Sequence, residues 1–171
     1  MALTYTAIAT VTVGSGGAAD IQFTSISGTD TDLLLLLSLR SARVDTDDTI
    51  RIDFNSFAGT NLSSRRLEGN GASASSTTDA SNISFRTLAA NHTASTFGNT
   101  IIYIPNYAGS NNKSVSIDNV TENNATTAWA SLSAGLWSSS SAITAIKVFS
   151  ANSANFAQYS IATLYGIKNT V

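Results

Sequence analysis

Thr4-Tyr5-Thr6-Ala7-Ile8-Ala9-Thr10-Val11-Thr12-Val13 is the stretch on which the fold of this chain turns. Its odd positions are Tyr5, Ala7, Ala9, Val11 and Val13, and its even positions are mostly threonine. A period of two with β-branched residues predicts a half-buried strand. Gly14-Ser15-Gly16-Gly17 ends it, since glycine reaches backbone angles that other residues avoid.

The same alternation recurs along the chain. Ile21, Phe23 and Ser25 continue it, and Ile50, Ile52 and Phe54 alternate with Arg51 and Asp53. Leu33 to Leu39 is apolar at nearly every position, which predicts a central strand buried on both faces. Further strands are expected over Leu62 to Leu67, Ile83 to Leu88, Thr100 to Pro105, Lys113 to Asn119 and Thr126 to Trp137, then Ile143 to Phe149 and Tyr159 to Ile167. Glu122-Asn123-Asn124 should close a hairpin. Ala72 to Ala80 is nearly all Ala, Ser and Thr and reads as a long surface loop. About ten strands, no amphipathic helix and a single proline predict an all-β antiparallel sandwich, jelly-roll-like, in one domain over residues 1–171. Residues 1–13 are expected to form an N-terminal strand or arm that contacts a neighbouring subunit.

Composition narrows the function. Charged residues make up 12%, about half the usual share, and Ser, Thr and Asn fill the gap. A polar but weakly charged surface lowers the desolvation cost of large protein contacts and suits a subunit that works in an assembly. Net charge is -2, and Arg40, Arg43, Arg51, Arg65 and Arg66 are scattered rather than striped, so nucleic acid is not an expected partner. Met1 to Thr6 shows neither a basic region nor an apolar stretch of signal-peptide length, so secretion by a signal peptide is not expected, and Leu33 to Leu37 falls far short of a membrane span.

Residues that could carry chemistry are few. His92 is the only histidine, lies in a loop, and has no Gly-x-Ser-x-Gly elbow to work with. With no cysteine, the usual zinc sites are excluded. Asp45, Asp47 and Asp48 have part of the alternate spacing of a calcium loop, and Asp30 and Asp32 form a weaker pair. Both fall short of the six to eight oxygens calcium takes. Asp53, Glu68, Asp118 and Glu122 have no spacing that selects a glycosidase pair. No cofactor, metal or catalytic residue is therefore expected. The aromatic residues stand out instead. In Thr126 to Trp137, Ala128, Ala130, Leu132, Ala134 and Leu136 share one face, and Trp129 and Trp137 the other. Apolar groups on both faces predict a strand covered twice, once by the opposing sheet and once by a neighbour.

Several segments resemble a family of small β-rich virion proteins of tailed phages, of the cyanophage and marine-phage type. They are Ile52-Asp-Phe-Asn-Ser-Phe-Ala-Gly-Thr-Asn61, Arg65-Arg-Leu-Glu-Gly-Asn-Gly71 and Thr96-Phe-Gly-Asn-Thr-Ile-Ile-Tyr-Ile-Pro-Asn-Tyr-Ala-Gly-Ser110. Glu122-Asn-Asn-Ala-Thr126, Gly135-Leu-Trp137 and Leu164-Tyr-Gly-Ile167 extend the resemblance over nearly the whole chain. It implies a jelly-roll-like sandwich, often trimeric, with no cofactor and no catalytic motif. The expected role is a non-enzymatic capsid cement (decoration) protein, located in the virion and assembled in the host cytoplasm. It would bind itself and the major capsid protein or another virion protein. Interface residues are expected at Tyr5, Val11 and Val13 of the N-terminal strand and at Tyr107, Trp129 and Trp137. The alternative is a tail-fibre or tail-tip module that binds host surface glycans through Tyr107, Trp129 or Trp137.

Overall fold

The structure, a computed structural model, describes residues 3–122 and 128–169. Among them are twelve strands and no helix. In chain order they are β1 (Leu3–Thr12), β2 (Asp20–Phe23), β3 (Asp32–Leu39), β4 (Asp47–Phe54), β5 (Leu62–Gly69) and β6 (Ala74–Asp79). There follow β7 (Ile83–Leu88), β8 (Gly98–Ile104), β9 (Lys113–Val120), β10 (Ala130–Trp137), β11 (Ile146–Ser150) and β12 (Ile161–Asn169).

Two antiparallel sheets result. The larger runs β1-β12-β3-β8-β9-β10-β5-β6, and the smaller runs β2-β11-β4-β7. The order is nested. β1, β12, β3 and β8 lie side by side in one sheet, and β2, β11, β4 and β7 in the other. The hairpins β5-β6 and β9-β10 extend only the large sheet, beyond β8. One apolar core joins both sheets. Leu33, Leu35, Leu37 and Leu39 of β3 meet Ile50 and Ile52 of β4, Ile83 and Phe85 of β7, and Val148 of β11 in that cluster.

A four-stranded sheet is too narrow to cover an eight-stranded one, and this sets the main departures from expectation. Residues Thr4 to Thr10 of β1 are exposed throughout, not half-buried, because β1 overhangs as an edge strand beside β12. A register shift between Ala7 and Ala9 breaks its alternation against β12. Val13, just past β1, does reach the core. Ala72 to Ala80, expected as a loop, contains β6, the opposite edge, every residue of which is exposed or half-buried. The leucine run is indeed central, paired with β12 and β8, but it is buried on one face only. Leu36 on the other face is 37% exposed. The last two strands begin later than expected, at Ile146 and Ile161. The β9–β10 pairing is antiparallel, with Val120 opposite Ala130, and Asn123 to Thr127 lie outside the described residues.

Candidate interaction surface

The register of the large sheet carries one row of residues across six strands. Thr163 of β12 stands opposite Leu36 of β3, which stands opposite Ile101 of β8. Ile101 faces Asp118 of β9, Asp118 faces Leu132 of β10, and Leu132 faces Leu67 of β5. All six side chains lie on the side of the sheet away from the core. Leu67 is 63% exposed and Leu132 57%, far more than is usual for leucines in the middle of a sheet. Tyr103, Val120, Leu136 and Ile161 are exposed beside this row.

The inward face of β5 and β10 is largely polar. Ser64, Arg66 and Glu68 of β5 point in, as do Ser131 and Ser133 of β10. Alternation fixes this: once Leu62 and Trp137 are committed to the core, every second neighbour follows, and Leu67 and Leu132 must point out. The polar interior is then satisfied locally. Arg66 Nε lies 2.8 Å from Glu68 Oε2, and Arg86 Nε of β7 donates to the same oxygen at 3.0 Å. Arg86 also pairs with Asp47 of β4, and its guanidinium lies 4.2 Å from the centre of the Trp129 ring. Burial alone would raise the Glu68 pKa, but the hydrogen bonds and charges of Arg86 and Arg66 hold it below the usual carboxylate range. Asn119 of β9 bridges the layers, donating to the carbonyl of Arg86 at 2.9 Å and to Thr100 Oγ1 at 2.7 Å. Sequence reading missed this network. Its signal was the Arg66-x-Glu68 spacing, which places both charges on one face of a strand.

The residues singled out from sequence divide by burial. Tyr107 is fully buried and donates its hydroxyl to the Ser27 carbonyl. Trp137 is 7% exposed and packs on Phe54 with ring centres 5.4 Å apart. Val13 is also in the core, Val11 and Trp129 are half-buried, and Tyr5 is exposed on β1. On β10 the open apolar face is therefore that of Leu132 and Leu136, while the tryptophan at its end faces inward. Direct contact through Trp137, Tyr107 or Val13 would need the core to open.

The three aspartates considered for calcium are all engaged by protein groups. Asp45 pairs with Arg43 at 2.9 Å, Asp47 with Arg86, and Asp48 accepts from Ser41, Ser150 and Asn152. Asp32 accepts from the Tyr103 hydroxyl at 2.8 Å and the Asn106 amide at 2.9 Å. Among the described residues no three or more His, Cys, Asp or Glu side chains stand where they could hold a metal ion together. His92 is buried at the end of a loop held by Arg40, whose guanidinium donates to the carbonyls of Ala90, His92, Thr93 and Thr96. Burial, with the Arg40 charge behind it, lowers the His92 pKa and favours the neutral ring. Asp53 is buried, which raises its pKa despite the nearby charges of Lys147 and Arg51. Of the five arginines noted in the sequence, Arg40 and Arg66 are buried, Arg43 and Arg51 half-buried, and Arg65 exposed. No family model, curated protein or solved structure matches the chain.

Proposed function

We propose that the chain is a non-enzymatic structural subunit of a tailed-phage virion that works by binding protein surfaces, first as a capsid cement protein. The observation that carries the assembly part of this reading is the outer face of the large sheet. Its exposed row is mostly apolar and only thinly charged, and soluble monomers seldom show so large a patch. The low overall charge acts in the same direction, because less hydration is lost when such a surface is covered. The virion location rests on the resemblance of the segments quoted above. The nested order of β1-β12-β3-β8 against β2-β11-β4-β7 supports the jelly-roll part of the reading.

The first test is cryo-electron microscopy of purified particles with a count of this chain's copies. Density over the capsid in hundreds of copies is the expected result. Density confined to the tail would replace cement with a tail module, and absence from particles would end the virion reading. The expected partners are other copies of the chain and the major capsid protein.

A further inference from the structure

We infer that the outer face of the eight-stranded sheet packs on the same face of a second copy about a two-fold axis, with Arg65 and Asp118 pairing across the axis. The inference deepens the assembly reading and rests on it.

Two features of the face select a second copy as its occupant. The first is charge. On the outward side of β9, β10 and β5 the exposed charged side chains are Asp118 and Arg65, one of each sign. Asp118 stands opposite Leu132, while Arg65 stands opposite Ala134, two residues further along β10. Strand spacing and rise put the two positions about 12 Å apart, on a diagonal across β10. Their midpoint falls on β10 between Leu132 and Ala134. A two-fold axis through that point, lying in the interface and perpendicular to the diagonal, sets each Asp118 over the other copy's Arg65. A surface that carries one charge of each sign symmetrically about its centre is self-complementary, which is the requirement of an isologous contact. Within one chain Arg65 donates to Thr78 Oγ1 at 2.7 Å, so its side chain is already ordered along the sheet.

The second feature is area. An axis on β10 lays the five strands β8, β9, β10, β5 and β6 on the copy, about 550 Å² at the usual strand spacing and about seven residues each. Counted over both copies this clears the roughly 1,000 Å² that a specific contact needs but falls short of a standard-size interface, which suits a dimer of modest affinity. Ile101, Leu132 and Leu67 supply the apolar part of this overlap, and serines and threonines of β9 and β6 supply the rim. A sheet face packed on itself gives a two-fold. The trimer implied by the resemblance would use other surfaces, of which the overhanging β1 is one.

The test is a charge swap in the full chain. Arg65→Asp, Asp118→Arg and the double variant are compared with the unmodified chain by sedimentation equilibrium, with thermal unfolding as the control for folding. Both side chains are exposed, so all three variants should fold. Each single variant sets like charges against each other across the axis and should raise the dimer Kd about tenfold or more. The double variant restores opposite charges and should bring the Kd back to within about threefold of the original. A monomer throughout the micromolar range, or a double variant no tighter than the singles, overturns the pairing. A monomer that still decorates particles overturns the pairing and leaves the structural-subunit reading standing. A charge-dependent dimer that is absent from particles does the reverse.

Discussion

Asp48 of β4 has no exposed surface, and it accepts from Ser41 Oγ at 2.6 Å, Ser150 Oγ at 2.7 Å and Asn152 Nδ2 at 2.7 Å. One carboxylate thus ties the end of β3, the end of β11 and the loop after it to β4. Replacing it by alanine leaves the buried Ser41 and Ser150 hydroxyls unmatched, each costing about 1–3 kcal/mol. Asp48→Ala should lose about 3 kcal/mol or more in urea denaturation, and Asp48→Asn, which keeps one acceptor, should lose less. Glu68 answers to pH as well. Its pKa in the folded chain lies below the ordinary value of 4.5, so its contribution is present above that value and is lost as pH falls through the folded pKa. Glu68→Gln leaves the buried Arg66 and the half-buried Arg86 with less compensating charge, at a cost of about 3 kcal/mol near neutral pH. The gap between the two proteins should narrow as pH falls through the folded pKa, where the native glutamate becomes protonated too. A gap that stays constant with pH would assign the loss to packing instead.

At the scale of the element, Gly135 shows how β10 meets β7. A Cβ added there would lie 3.0 Å from three side-chain carbons of Ile83, which is fully buried and has no room to withdraw. Gly135→Ala should therefore destabilise by about 1–3 kcal/mol through overpacking, as read from the denaturation midpoint. At Gly166 an added Cβ would meet the carboxyl end of Asp30 and also its Cβ at 3.1 Å, so turning the carboxylate away relieves only part of the clash. The strands that pack on this core were legible from sequence because alternation reports burial on one face. The same logic explains the misses. β6 has exposed residues on both sides, so Ala74 to Asp79 carries no apolar period to read. β1 has the period without the burial, since nothing in the small sheet lies beneath it. The face of β10 was legible as doubly apolar, but its polarity was not. Leu132 and Trp137 both look like core residues, and only the pairing with Leu62 and the packing on Phe54 put the tryptophan inside. The Arg66–Glu68 pair left a trace in its spacing along β5, but Arg86 was hidden because it comes from a strand of the opposite sheet, a proximity that no spacing in the sequence encodes.

For the whole molecule, the two sides of the large sheet do different work. The inward side holds the monomer together, and the outward side has no partner within the described residues. If that division is correct, stability and association should respond to separate sets of leucines. Leu35→Ala empties a buried position of β3 and should cost about 2–5 kcal/mol. Leu67→Thr with Leu132→Thr removes the two most exposed apolar groups of the central row, where threonine keeps a strand-compatible side chain. That double variant should stay within about 1 kcal/mol of the original in monomer stability, since neither leucine contributes to the core. Its self-association should nevertheless weaken, because apolar area that would leave water on pairing is gone. Denaturation at low protein concentration reports the first quantity, and sedimentation across a concentration series reports the second. Loss of stability with unchanged association would mean that the leucines support the monomer and that the face is not used. Unchanged stability with lost association is the outcome that follows from an eight-stranded sheet built wider than the four-stranded sheet that covers it.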